Sequence, residues 1–416
     1  MGMVSATSPD SEVTVVFDFQ VQELHRQHWG GERAEYIAGP VSTLRQQYDN
    51  WSHLAERCRA HPSLHPDTQL AFLETMLPNA RVAVVNVVRH GSLIGMLPLV
   101  SDRARLVNVP VRRLRVPGPL DSPDRFDILC AAHDRDQVVS SIWTALAARD
   151  DWDVVELVDL PEGGPGWQLL DLAGDARYGV GHRVSRTTPY VSLNPNLPLE
   201  QNLPGANTRF RADLRRCRRN LEKLGPVTFV RHSTYDDAVF TRFLEMEHAG
   251  WKGRNGSSIL SDPRATAHHR RLARAAGANG SLAMYSLVCA GEPVAMHFGM
   301  IGGGQYAVPK LTYDERRNVY APGQLIVWEV LQDCLAHGLI EFDFLGDSQP
   351  WKDKWTDQRR TFHRAHIFNK TVAGRLARTA RYDVAPRAKV ISRRLTRDLN
   401  GIVSWIRPHG QELPQG

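Results

Sequence analysis

The sequence predicts an α/β protein: two copies of one mixed-sheet unit in tandem, closed by an amphipathic helical tail. Three observations predict it. First, "AVVNVVRHGSLIGMLPL" (83–99) aligns without gaps on "AMYSLVCAGEPVAMHFG" (283–299), with Gly91 on Gly291, Val88 on Val288 and Met96 on Met296. Each copy reads as strand, tight turn, strand. Second, "IWTALAARDDWDVVELVDL" (142–160) matches "VWEVLQDCLAHGLIEFDFL" (327–345), with Trp143 on Trp328. Each of these is an amphipathic helix feeding an apolar strand. Third, after Ala373, apolar residues from Leu376 to Ile406 recur every three to four positions with Arg and Lys between them, and Pro386 falls within the run. That spacing is a basic amphipathic helix, broken near the proline.

At 416 residues and 42% hydrophobic composition, the chain can fill two cores of ordinary size. Its units are expected at 1–195, 196–372 and 373–416. No window is apolar enough to span a bilayer, and "MGMVSATSPDSEV" lacks the basic-then-apolar order of a secretory signal, so a cytoplasmic location is expected. The five cysteines, Cys58, Cys130, Cys217, Cys289 and Cys334, contain no CxxC pair, which argues for reduced thiols and against a zinc centre.

In chain order, residues 41–79 carry helical stretches that close the first unit, followed by its hairpin, helix and apolar strand. A linker rich in Pro and Asn (192–208) leads to "RFRADLRRCRRNLEK" (209–223), a helix with seven basic residues against two acidic ones. The second hairpin, helix and strand follow. From Ala373 onward nine Arg or Lys face only Asp383, Asp398 and Glu412, so the tail carries the whole net charge of +6. Neither basic stretch is interleaved with aromatics, so specific nucleic-acid binding is not expected; the tail suits packing on the body, or docking to a partner or an anionic membrane.

The copies differ where chemistry would sit. In "FDFLGDSQPWKDKW" (342–355) Asp343 stands at the end of an apolar strand where the first copy has Val158. Near a strand's carboxyl end, Asp343 could orient a bound ligand or take its proton; alternatively it pairs with Lys352 or Lys310 to tie down the loop. His297, on the second hairpin strand, is the rival base, with a core histidine as the plainer reading. Tyr313 could donate to a leaving group, with Lys310 and Asp314 beside it forming either part of the site or a local ion pair. Glu247 ends a helix and could reach the pocket together with Trp251 and Lys252, and the basic loop 252–254 suits an acidic ligand or phosphates, with a solvated loop as the plainer reading. In "QYAVPKLTYDERRNVYAPGQLIVWEVL" (305–331), a helix begins near Pro322, Gly323 and Gln324 with Arg316 and Arg317 ahead of it. Exposed first-turn N–H groups make such a helix start an anion site. No cysteine sits in a nucleophile setting, so covalent catalysis through a cysteine is not expected.

Four ordered stretches, "WKGRNGSSI" (251–259), "KLTYDERR" (310–317), "APGQLIVWEVL" (321–331) and "DFLGDSQPWKDKW" (343–355), resemble the acetyltransferase domain of the CelD/BioF-like proteins. That family is part of the GNAT superfamily and is related in fold to the Fem peptidyltransferases. The resemblance is strong over about 205–370 and weak before residue 195. It implies tandem GNAT-like folds, with acyl-CoA (acetyl-CoA first) as donor, its pyrophosphate at the helix starting near Gly323, a small amine, amino sugar or amino acid as acceptor, and no metal. Trp351 stands where the family often has Tyr before the lysine, keeping an aromatic wall and losing a hydroxyl. Two other functions fit the same residues: a Fem-like transferase using aminoacyl-tRNA, suggested by the basic helix, and a non-catalytic accessory role in polysaccharide or envelope assembly.

Overall fold

The structure is a computed structural model that describes residues 31–118 and 125–385. Copy one contributes β1 (Glu32–Pro40), β2 (Arg81–Arg89), β3 (Ser92–Leu106), β4 (Val109–Arg115), β5 (Leu129–Cys130), β6 (Val154–Pro161) and β7 (Gly179–Ser192). Copy two contributes β8 (Val227–His232), β9 (Leu282–Cys289), β10 (Glu292–Gly302), β11 (Gln305–Tyr313), β12 (Glu341–Asp343) and β13 (Arg359–Phe368). They form one continuous sheet in the order β1-β2-β3-β4-β6-β13-β7-β12-β11-β10-β9-β8, with β5 paired to β3.

Read from the two ends, that order matches β1 with β8, β2 with β9, β3 with β10, β4 with β11 and β6 with β12. The sixth strands are exchanged: β13 completes the first half and β7 the second. The sequence boundary at 195 falls just after β7, yet the chain segment that follows β12 returns to the first half. Sequence order and spatial grouping therefore part at these two strands.

The repeat extends to backbone detail. The β2–β3 turn places His90 and Gly91 at φ of 50° and 80°, and the β9–β10 turn places Ala290 and Gly291 at 52° and 84°. Two successive left-handed residues are the signature of the type I′ turn, whose twist suits a two-residue hairpin and whose second position favours Gly. Just beyond the turn, Ile94 and Val294 are each the extra residue of a bulge.

Each half is covered on both faces by helices with apolar stripes. Copy one packs Arg135–Ala147 and Pro165–Asp175 on one side, and Tyr48–Arg57 and Pro66–Met76 on the other. Copy two packs Thr208–Glu222 and Pro322–Ala336 on one side, and Asp237–Ala249 and Pro263–Ala278 on the other. Ala71, from the first copy's helix Pro66–Met76, is buried in the core of the second copy, so the two units share packing as well as a sheet. The tail begins as a helix, Val372–Arg378, with Val372 and Leu376 exposed; the remainder, from Pro386 on, lies outside the described residues.

The exchange has a measurable consequence. Phe362 is fully buried in β13, with Pro161 of β6 on one side and Arg186 of β7 on the other. Phe362→Ala is expected to cost about 3–5 kcal/mol, the usual loss for a buried aromatic, read as a lowered midpoint in urea unfolding with both halves losing structure together.

Candidate active site

The parallel strands β11 and β12 pair only through Gln305, Tyr306 and Ala307 against Glu341, Phe342 and Asp343. Beyond that point they separate. β11 continues along β10 to Tyr313, with a bulge in which residues 308 and 309 oppose Gly299 alone, while the chain after Asp343 turns away. Parting strands leave one edge of β11 unpaired at the carboxyl end of β12, where ligands of α/β folds collect. A cavity of about 200 Å³ opens there. Ala307, Lys310 and Leu345 line it from the splay, His268 and Leu272 from helix Pro263–Ala278, and Gln69 and Phe72 from copy one.

The turn that directs the chain away depends on Asp343, which is fully buried. Its Oδ1 accepts the Leu345 N–H at 2.9 Å, and its Oδ2 lies 3.3 Å from Arg360 Nη1 of β13 and 3.8 Å from His61 Nε2 of copy one. Leu345 and Gly346 follow at φ of 44° and 68°. A left-handed leucine is strained, and the carboxylate bond holds it in place. Arg360 also forms a two-pronged pair with Glu341 and stacks 4.4 Å from the Tyr190 ring. Arg125 of copy one reaches Gln305 and Glu341. Burial raises the Asp343 pKa, opposed by the Leu345 N–H and Arg360. Burial, then Arg125 and Arg360, push His61 far below the usual imidazole range, so His61 is neutral. Asp343 therefore pairs with Arg360 and with neither Lys352 nor Lys310. Lys352 instead donates to the carbonyls of Leu345 and Asp347, and its pKa is lowered to about 8, by burial first.

His297 is also buried. Its Nδ1 lies 2.7 Å from the Tyr306 hydroxyl, its ring stacks on Tyr306, and burial lowers its pKa to about 3. Neither sequence candidate for the base lines the cavity. Lys310 does, and burial, then Lys252, lower its pKa. Glu247 stands nearby with both oxygens engaged, by Lys252 Nζ at 2.8 Å and the Ile259 N–H at 2.8 Å. Trp251 is half exposed, and its N–H donates to Glu315, which also pairs with Arg254. Trp351 packs edge-on against Phe344, and its indole N–H donates to Gln349.

Helix Pro322–Ala336 starts beside the splay, preceded by the left-handed Ala321, with Pro at its first position and no acidic residue in its first turn. A Cβ on Gly323 would meet the Tyr313 ring at 3.0 Å, so Gly lets this ring close on the helix start. Arg316 is almost fully exposed and pairs with Asp314, as Arg317 does more loosely; Asp314 thus pairs with the arginines rather than with Lys310. Gln324 accepts the indole N–H of the buried Trp355. This set of a bare helix start with Arg316 and Arg317 ahead of it fits a pyrophosphate, which would compete with Asp314 for the two arginines. The equivalent helix of copy one starts with Asp134 and Asp136, carboxylates that would repel one. Among the described residues, no group of three or more His, Cys, Asp or Glu is placed to hold a metal ion.

Residues 208–353 match the acetyltransferase (GNAT) domain family. The matched segment runs from the basic helix to the loop after Asp343 and contains the whole splay. Among solved structures, the chain is similar to FemX, at TM-score 0.53 and 11% identity over 78% of this chain and 95% of that one. It is also similar to a tandem GNAT protein from the clavulanic acid biosynthesis pathway, at TM-score 0.43 and 14% identity over 82% and 100%. A third similar structure is the C-terminal domain of a lysylphosphatidylglycerol synthetase from Agrobacterium fabrum, at 0.48 and 10% over 80% and 94%. No curated protein matches the sequence. The family match is confined to residues 208–353, and the likeness to FemX is one of fold.

Of the sequence candidates, Asp343, Lys310 and the helix start lie at the splay; His61, Gln69, Arg125, His268 and Arg360, which lie there too, were not among them. These come from copy one, from helix Pro263–Ala278 and from the exchanged strand, and only the tertiary fold brings them to the splay.

Two outcomes follow. Asp343→Leu strands the Leu345 N–H and an Arg360 valence, and is expected to cost about 3–5 kcal/mol, whereas Asp343→Asn keeps an acceptor oxygen and costs about 1–2 kcal/mol; urea unfolding checks both. For Lys352, the folded pKa near 8 lies below the ordinary 10.5. Between these pH values the unfolded chain holds a proton that the folded one has released, so stability rises with pH. The Lys352→Met variant is expected to lose that rise, measured as the difference from the native protein in thermal melts from pH 7.5 to 10.5.

Proposed function

We propose that the protein transfers an acyl group from a CoA thioester to a small amine, by direct attack with both substrates bound. The observation that carries this reading is the splay of β11 from β12 beside a helix start free of acidic residues, within the segment that matches the acetyltransferase domain. The thioester would supply an activated acyl carbonyl. Gly323 and the first turn of its helix, with Arg316 and Arg317, would hold the pyrophosphate, and Tyr313, packed on Gly323, would donate a proton to the leaving thiolate.

The chain's own residues account for the rest. The unpaired edge of β11 aligns the acyl carbonyl, and the closed cleft keeps the two reactants together at high effective concentration. Lys310, which lines the cavity and whose pKa burial lowers, would be the proton acceptor for the incoming ammonium. Asp343 is a positioning residue that fixes the turn at Leu345, one wall of the cleft. The anchoring of Lys352 on the same turn supports this division of roles.

A Fem-like use of aminoacyl-tRNA is the second reading, favoured by the basic helix Thr208–Glu222. Part of that basic face is already paired, Arg218 with Glu222 and Glu329 and Arg216 with Asp213, which favours the CoA ester. Acetyl-CoA is expected to raise the melting temperature, while deacylated tRNA at physiological salt is not. Gly323→Glu is expected to abolish the shift, and the surface variant Arg316→Glu, which does not touch the packed Tyr313 ring, to reduce it several-fold in apparent affinity. Silence from acetyl-CoA and longer acyl-CoAs alike, with a salt-sensitive response to tRNA, would reverse the order of the two readings.

A further inference from the structure

The start of the tail packs on the body through one face and leaves the other bare. Gly374 and Ala377 of helix Val372–Arg378 are buried. Farther on, Tyr382 lies over Gly181, where a side chain would meet its ring at 2.4 Å, and its hydroxyl hydrogen-bonds His366 Nδ1 at 2.8 Å. Arg378 runs its stem over Gly179 in the same way. With the helix held by these contacts, Val372 and Leu376 share its outward face, 77% and 57% exposed, with Arg375 between them. Singly exposed aliphatics are ordinary on a protein surface. What sets these apart is the charge beside them.

An open hollow of about 520 Å³ lies there. Arg177, Lys370, Arg375 and Arg378 line it, with Tyr178 and Phe368, and among the described residues no acidic one does. Of the four cations only Arg378 has a carboxylate partner among the described residues, Asp383 at 3.5 Å. The cations come from three segments, ahead of β7, after β13 and on the tail helix, so the fold gathers them where the sequence does not. Like charges brought together repel, and an anionic partner relieves the repulsion. The chain's own continuation does not supply it: after Ala385 come Arg387, Lys389, Arg393, Arg394, Arg397 and Arg407 against Asp398 and Glu412.

We propose that this face docks on an anionic phospholipid membrane, with headgroup phosphates in the hollow and Val372 and Leu376 at the acyl boundary. Nucleic acid would engage the cations but has no use for bare aliphatics, and single strands are held by stacking on open aromatic faces. Here Phe368 is buried and Tyr178 is packed by Trp143, Trp152 and Lys370. A membrane interface uses both parts of the surface at once. Its phosphates attract each Lys or Arg near the surface, and the aliphatics gain by leaving water. The helix lies on the bilayer, because no described helix is long and apolar enough to cross one.

Vesicle co-sedimentation of the full chain tests this independently of any acyl transfer. The probes are vesicles of phosphatidylcholine alone and of equal parts phosphatidylcholine and phosphatidylglycerol. The expected result is retention on the anionic vesicles only, weakening as salt is raised, with partition about fivefold weaker in each of Lys370→Gln and Arg375→Gln and several-fold weaker in Leu376→Ser. All three side chains are exposed, so the variants are expected to keep the native melting temperature, which is measured first. Equal retention on both vesicle types would overturn the docking surface, as would anionic retention that none of the three variants weakens, since the contact would then lie elsewhere in the chain. Failure to bind either vesicle would also overturn it, and salt-sensitive capture of a single-stranded RNA oligonucleotide in that case would assign the cations to nucleic acid instead.

Discussion

The antiparallel pairing of β7 with β13 is the constraint on which the rest of the molecule depends. Each strand leaves its own copy to complete the other, from Gly179 against Phe368 to Pro189 against Arg359. The two half-sheets thereby become one sheet, whose outermost strands among the described residues are β1 and β8. Exchange also fixes the angle at which the copies face each other. Helix Pro66–Met76 then has to meet helix Pro263–Ala278, and the cleft between them opens onto the splay of β11 and β12.

Charge at this junction is arranged around that same pairing. Arg360 comes from the exchanged β13, Glu341 and Asp343 from β12, and Arg125 and His61 from copy one. Removing water from such a group is costly, and the carboxylates and guanidiniums offset it only because they are matched in number and geometry. Copy one has a counterpart in Glu156, whose pKa falls to about 2; its hydrogen bond to His366 is the largest influence opposing burial, followed by Arg113 and Arg364. The equivalent positions Glu156 and Glu341 thus anchor both halves. What differs is the next step of the strand: Val158 packs into a core, whereas Asp343 bends the chain and opens a cleft.

Much of this fold was legible in the sequence because the repeat is local. Hairpins that share a turn and a bulge leave the same pattern of Gly and apolar residues, and a Pro-Gly pair at the head of an apolar helix announces its start. Asp343 stood out because a carboxylate in an apolar strand demands an explanation, but the sequence pointed to nearby lysines as its partners. The partner is Arg360, seventeen residues on in a strand that crosses to the other copy, and no periodicity reports such a crossing. His297 looked like a base for the opposite reason: a histidine on a strand is visible, while the Tyr306 hydroxyl that occupies it and the burial that neutralises it are not. Gln69 and His268 lie 199 residues apart on separate helices, and only the tertiary fold brings both to one cavity.

The account assigns donor binding to copy two and denies it to copy one, whose equivalent helix starts with Asp134 and Asp136. Hydrogen–deuterium exchange with saturating acetyl-CoA tests that division most directly, because it reports on both copies in one experiment. Slowed exchange confined to the first turn after Pro322 and to β11 beyond Ala307, with the helix start at Arg135 unchanged, is the predicted result. Protection at the Arg135 helix instead, or no change at either helix start, would contradict it.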